Sequence, residues 1–243
     1  MVFVVDFILL NEGFFMIGVL FSGGKDSIMV IHSLLTSGKK VSCLITMKSE
    51  NKVSWMFHTP AINITKLQAE ALGIPILYGN TKGEKEEELK NLEEAISKAK
   101  EKFGLTGIAV GALFSQYQSD RVNVICDKLG LECFAPYWKM NQREYLQKII
   151  VLGFDVRIVG IACQGLSEAF LGKRIDEKIM TRLFELDDKI GLNVAGEGGE
   201  YESLVVDGPI FKKRIVILES EKQMENDITG RLEIKKAKLV EKN

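Results

Sequence analysis

Histidine is scarce in this chain, with two in 243 residues, and the four cysteines (Cys43, Cys126, Cys133, Cys163) are spread apart with no C-x-x-C pair. That combination argues against a structural zinc site and a disulfide framework, and it fits a reducing cytoplasm. There is no basic excess either. The net charge is −1 and no long run of lysine or arginine occurs. Tight non-specific nucleic-acid binding needs a dense positive field, so no direct nucleic-acid partner is expected. Residues 1–15, MVFVVDFILLNEGFF, are apolar but too short to span a bilayer, and they lack the basic start of a secretory signal. No membrane partner is expected. This segment reads as an extension upstream of the domain, because Met16 stands where the first strand should begin. The alternative is a short strand or helix packed on the core.

What is present is an ordinary globular composition, 46% hydrophobic and 27% charged, long enough for one large domain or two small ones. Its organising stretch is IGVLFSGGKDSI at 17–28. An apolar run, Ile17 to Phe21, stops at Ser22-Gly23-Gly24-Lys25-Asp26-Ser27, and a helical pattern is expected to begin at Ile28. A strand, a glycine turn and a helix N-terminus together cradle an anion, because the free N–H groups of the first helical turn and the helix dipole both favour negative charge. Gly23 and Gly24 are expected to take positive φ and allow close approach. Lys25 adds a positive charge, Ser22 and Ser27 add hydroxyls, and Asp26 is the candidate ligand for Mg²⁺. The spacing is not that of the Walker loop, which needs four residues between its glycines.

Beyond the turn, strand and helix patterns alternate. Ile28, Val30, Ile31, Leu34 and Leu35 make one helical face ended by Gly38. Val41–Met47 reads as a strand, and 49–59 as a surface loop. A helix after Pro60 presents Ile64, Leu67, Ala71 and Leu72 and is capped by Gly73. Ile74–Tyr78 is a third strand. The acidic-then-basic run from residue 84 to 104 is a helix with a Leu89, Leu92, Ile96, Ala99, Phe103 seam and a solvated charged face. Ile108–Val110 is a fourth strand, followed by a helix over 116–129. This alternation implies a parallel sheet with helices on both faces and a ligand beyond the carboxyl ends of its strands. The lining loops are then 22–27, 48–59, 79–83 and 111–116. The second half is less regular: a helix over Gln142–Leu152, a strand over Phe154–Ala162, a helix over Asp176–Ile190, and strands Arg214–Leu218 and Leu232–Val240. It reads as a smaller α+β lobe with no linker before it.

Two further stretches carry chemistry. In VGALFSQYQSDR at 110–121, Gly111 and Ala112 allow close approach of a nucleotide, and Ser115, Tyr117 and Arg121 are polar groups at the sheet edge. Arg121 would contact phosphate or a carboxylate, or else lie at the surface of a helix capped by Ser115. In AGEGGEYESLVVDG at 195–208, Glu197, Glu200 and Glu202 cluster among glycines before an apolar strand. Clustered carboxylates suit metal binding, general base work or recognition of a cation; the alternative is an acidic surface turn.

SGGKDS after a strand resembles the PP-loop of the N-type ATP pyrophosphatases. With MFHTP at 56–60, GALFSQYQSDRV, FAPYW at 134–138 and GEGGEYESLVVDGP, residues 16 to about 218 resemble the diphthine–ammonia ligase family. The resemblance implies a Rossmann-like sheet of the adenine nucleotide alpha hydrolase type, divided as an extension (1–15), an ATP-binding domain (16–132) and a substrate-binding lobe (133–243). It implies that ATP activates the carboxylate of diphthine, on translation elongation factor 2, as an acyl-adenylate. Ammonia then displaces AMP to give diphthamide. Lys25, with Mg²⁺ at Asp26, would offset charge on the leaving pyrophosphate, and Leu20 and Met47 would hold adenine by strand-end contacts. Glu197, Glu200, Glu202, Tyr201 and Trp138 would face the trimethylammonium group of diphthine. His58 would touch nucleotide or substrate, whereas His32 falls inside a helix and reads as a packing or surface residue. A glutaminase needs an activated Cys–His pair, which is lacking, so free ammonium is the expected donor. The rival readings are a PP-loop tRNA-modifying enzyme and a non-catalytic nucleotide-binding protein. The first usually carries paired catalytic cysteines or a zinc ribbon and a basic surface, and the second has no use for Lys25, Asp26 and the glutamates together.

Overall fold

The computed structural model describes residues 15–49, 62–83, 85–111 and 116–242. Residues 1–14 of the expected extension, the loop at 50–61 with His58, and Ala112 and Ser115 lie outside them, as does the side chain of Tyr117.

The first half alternates as the sequence implies: β1 (Met16–Leu20), α1 (Lys25–Thr36), β2 (Lys40–Ser49), α2 (Thr65–Leu72), β3 (Ile76–Thr81), α3 (Lys85–Phe103), β4 (Gly107–Ala109), α4 (Gln116–Leu129) and β5 (Glu132–Phe134). The five strands form one parallel sheet in the order β3-β2-β1-β4-β5. Strand order reverses between β1 and β4, which creates a crevice at their carboxyl ends where such sheets take ligands. The strand β5 is too short to have been read from its pattern, and it carries the first sheet across residue 133.

Helix α1 begins three residues earlier than the apolar periodicity suggests. Its first turn, Lys25-Asp26-Ser27, is polar because it faces the crevice, whereas the periodic apolar face starts at Ile28. Leu35, expected on the buried face, is 41% exposed near the helix end. Gly73 ends α2 in the left-handed conformation, φ 70°. In α3 the seam is buried at Leu92, Ile96 and Ala99, but Glu88, expected on the solvated face, is buried as well.

The second half contains α5 (Gln142–Val151), β6 (Asp155–Ala162), α6 (Glu177–Ile190), β7 (Tyr201–Asp207), β8 (Lys213–Met224) and β9 (Thr229–Glu241). Its antiparallel sheet has the order β7-β6-β9-β8. Asp176 is the N-cap of α6, accepting from the Ile179 N–H at 2.9 Å, rather than its first residue. The β8–β9 hairpin is longer than its two apolar segments suggest, because its outer half carries alternating charges.

One apolar core runs through both halves. Ile17, Val19, Ile28 and Ile31 of β1 and α1 share a cluster with Tyr145, Ile149, Val156, Ile158, Leu204 and Val205. A second cluster lies on the other face of the parallel sheet, where Cys43, Ile45, Leu92, Ile96, Ile108 and Ile125 meet. The second half therefore packs on the α1–α2 face, which is why no linker composition separates the two.

Candidate active site

The turn after β1 sits at the switch point of the sheet. Gly23 takes φ 80°, a left-handed conformation that favours glycine. Gly24 does not share it. It is the N-cap of α1 in extended conformation, φ −77° and ψ 170°. Its constraint is space, since a Cβ there would lie 3.2 Å from the Ser203 carbonyl oxygen. Gly111, just after β4, is more tightly held. A Cβ there would come within 2.8 Å of the Asp26 carbonyl carbon and 2.9 Å of the Ser27 nitrogen. The loop after β4 thus lies directly against the first turn of α1, and only glycine permits it.

Within the turn, the Gly24 N–H donates to Ser22 Oγ (3.3 Å), and the Ser27 hydroxyl donates to the Gly24 carbonyl (3.0 Å). Lys25 is 3% exposed, and its ammonium donates to Asp26 Oδ2 at 2.9 Å with the Tyr201 ring 5.5 Å below it. Burial opposes the lysine charge, but Asp26, Tyr201 and Glu197 more than offset it, so the ammonium's pKa is raised. The other Asp26 oxygen accepts from Tyr145 Oη of α5 at 2.9 Å. Burial and then Asp26 push the Tyr145 phenol well above its ordinary range, so it stays a donor.

Strand β7 and the loop before it bring Glu202 and Glu197 to this turn. Lys25 donates its backbone N–H to Ser203 Oγ (3.1 Å), and the Val205 N–H donates to the Gly23 carbonyl (3.1 Å). Glu202 lies within the fields of Lys25 and Asp26, and burial pushes its carboxyl up to about 7 despite the Lys25 charge. Glu197 is close enough to Lys25 to raise the lysine's pKa. Glu200 serves its own loop instead, accepting from the Gly198 N–H (2.9 Å) and the Asn193 N–H (3.3 Å). Tyr201 is 2% exposed and donates its hydroxyl to the Val194 carbonyl at 2.7 Å, so it supports Lys25 from beneath.

The remaining candidates are more dispersed. Leu20 ends β1, and Met47 is buried in β2 opposite Gly79. Trp138 packs with the second core cluster, not with Tyr201, which belongs to the first. Arg121 is half-buried in the second turn of α4. His32 packs edge-on against Phe154 at 5.6 Å, as a packing residue should. Sequence reasoning missed Tyr145, Ser203 and Gln68. The one available signal was Gln68 itself, a polar residue on the apolar face that Ile64, Ala71 and Leu72 define.

The cradle therefore consists of a helix N-terminus, a left-handed glycine, a buried lysine and a second glycine loop, all at the switch point of a doubly wound sheet. These features define a doubly wound α/β protein with a glycine turn and a buried lysine at the carboxyl ends of its strands. Sequence profiles give its family. One described as the diphthamide synthase N-terminal domain matches residues 16–133, and one described as the diphthamide synthase C-terminal domain matches 141–240. The chain belongs to the diphthamide synthase family. Diphthine–ammonia ligases of Bos taurus and Homo sapiens are each 34% identical to it over 224 residues, covering 84% of both chains in each case. A diphthine–ammonia ligase of Schizosaccharomyces pombe is 31% identical over 83% of this chain, which spans only 36% of that longer protein. A solved predicted subunit of tRNA methyltransferase from Methanocaldococcus jannaschii overlays with a TM-score of 0.44 at 15% identity, covering 80% of this chain and 97% of that one.

Proposed function

We propose that this protein is an ATP-dependent diphthine–ammonia ligase. It would amidate the diphthine carboxylate of translation elongation factor 2 with ammonium in the cytoplasm, forming diphthamide, AMP and pyrophosphate. Family membership supports the ligase reading. The observation that carries the mechanism is the buried Lys25 ammonium held at the phosphate turn by Asp26 and Tyr201.

The chemistry assigns the roles. The diphthine carboxylate attacks the α-phosphorus of ATP, and the bond to the β-phosphate oxygen breaks. Charge then grows on pyrophosphate, where Lys25 and the N–H groups at the start of α1 stabilise it. Asp26 fits a Mg²⁺ that arrives with the nucleotide, because such ions take one or two carboxylates plus phosphate oxygens. Both Asp26 oxygens already accept hydrogen bonds, one each from Lys25 and Tyr145, so each has one further lone pair for a metal or its water. Bound there, the ion would neutralise phosphate charge. Ammonia next attacks the acyl carbon and AMP leaves. The proton released needs an acceptor, and Glu202, with its carboxyl near 7, suits that task. Glu197 is the candidate partner for the trimethylammonium group. Among the described residues no helix is long and apolar enough to cross a membrane.

The test is to incubate the protein with ATP, ammonium and diphthine-bearing elongation factor and to measure AMP, pyrophosphate and the amide. Lys25→Ala is expected to slow amide formation by a factor on the order of 100 or more. Ligation at the parental rate would refute this mechanism, and AMP formed only with tRNA would refute the substrate.

A further inference from the structure

Gln68 of α2 is fully buried, and both of its amide protons are used. Nε2 donates to the Gly23 carbonyl at 2.7 Å and to the Val205 carbonyl at 2.8 Å. Its own carbonyl oxygen is buried without a partner. A buried orphan acceptor is costly, so the donors are what this side chain contributes. They hold together two segments distant in sequence: the phosphate turn and the strand that carries Glu202.

The Gly23 carbonyl receives a second donor, the Val205 N–H at 3.1 Å. In a trans peptide the carbonyl and the following N–H point in opposite directions. Two donors on the α2–β7 side therefore aim the Gly24 N–H the other way, toward the cradle, where its acceptor among the described residues is the exposed Ser22 hydroxyl at a long 3.3 Å. A flip of the 23–24 peptide would put a carbonyl oxygen where an anion has to sit. Residues on both sides of that peptide are glycines, whose lack of a Cβ leaves little intrinsic barrier to the flip.

We propose that Gln68 is a positioning residue that locks the Gly23–Gly24 peptide so that the Gly24 N–H faces the outer phosphates of the nucleotide. The inference rests on the reading of this turn as a phosphate cradle. Gln68 touches no substrate and acts through the orientation of one peptide.

Calorimetry with pyrophosphate and, separately, AMP tests it on the whole chain. Gln68→Met keeps the length of the side chain and removes the donors. It is expected to weaken pyrophosphate binding about tenfold or more and to leave AMP affinity unchanged. A general loss of structure would weaken both. Equal pyrophosphate affinity in a folded Gln68→Met protein overturns the lock alone. Failure of the parent to bind pyrophosphate overturns the phosphate reading of the turn and the lock with it. A second measurement needs no variant. In the parent, the Gln68 side-chain amide protons should exchange slowly with or without pyrophosphate, while the Gly24 amide proton moves downfield on its addition. Gln68 protons that exchange freely, or a Gly24 amide that ignores pyrophosphate, overturn the proposal.

Discussion

Glu202 and Tyr145 are the side chains at which pH and hydrogen bonding would meet the proposed chemistry. The Glu202 carboxyl is raised by burial, then lowered by Lys25 and raised by Asp26, to about 7 in the fold from 4.5. A carboxyl raised on folding stabilises the protein in its protonated form. That contribution is complete below about pH 4.5 and is lost as pH rises through about 7. Glu202→Gln removes the titration, so the variant is expected to exceed the parent in stability above pH 7, by up to roughly 3 kcal/mol. Denaturant titrations across the pH range check this, and a parallel pH dependence in both proteins would contradict it. The same variant should lose ligation rate if Glu202 accepts the ammonia proton. Tyr145→Phe is expected to slow ligation by roughly tenfold while leaving the chain folded, since it removes one donor from Asp26 and no packing volume. Neither Tyr145 nor Ser203 was legible in the sequence, because each matters through a partner more than a hundred positions away. Lys25, Asp26 and Glu202 stood out in the sequence because each lies in a glycine-rich turn beside an apolar strand, and the structure brings the three near one another.

Among the described elements, the loop after β4 and the first turn of α1 make the closest approach of a glycine to another segment's backbone. Gly111→Ala would drive a methyl group into backbone atoms of Asp26 and Ser27 at 2.8 and 2.9 Å. Backbone cannot yield as a side-chain tip can. A loss of about 1–3 kcal/mol of stability and weakened nucleotide binding are expected, read from the thermal midpoint and ATP calorimetry. The alternation of strands and helices up to α4 was legible because each buried strand is an apolar run and each helix has a seam. The start of α1 was not, since its first turn faces the crevice and carries no apolar residue. The strand β5 is three residues long, and the outer half of the β8–β9 hairpin alternates charges on a solvated ribbon, so neither has an apolar pattern to read.

For the whole molecule, the decisive fact is that one core cluster and one set of backbone bonds cross between its halves. Heat or denaturant should therefore unfold it in one transition, with probes in α3 and in the β8–β9 hairpin reporting the same midpoint. Two separated midpoints would mean that the shared core is weaker than its burial implies. The absence of a linker composition pointed to this tight packing, but nothing in the sequence revealed which face of the sheet the second half would cover.

The union of Lys25 with Ser203, partners 178 positions apart, also sets a timetable for synthesis. As the polypeptide leaves the ribosome, its glycine turn emerges early and waits, without Ser203, Val205 or either flanking glutamate, until most of the message has been translated. A nascent or prematurely terminated chain thus carries the glycine turn without the strand that braces it, so the finished geometry of the turn is among the last features of the molecule to be set.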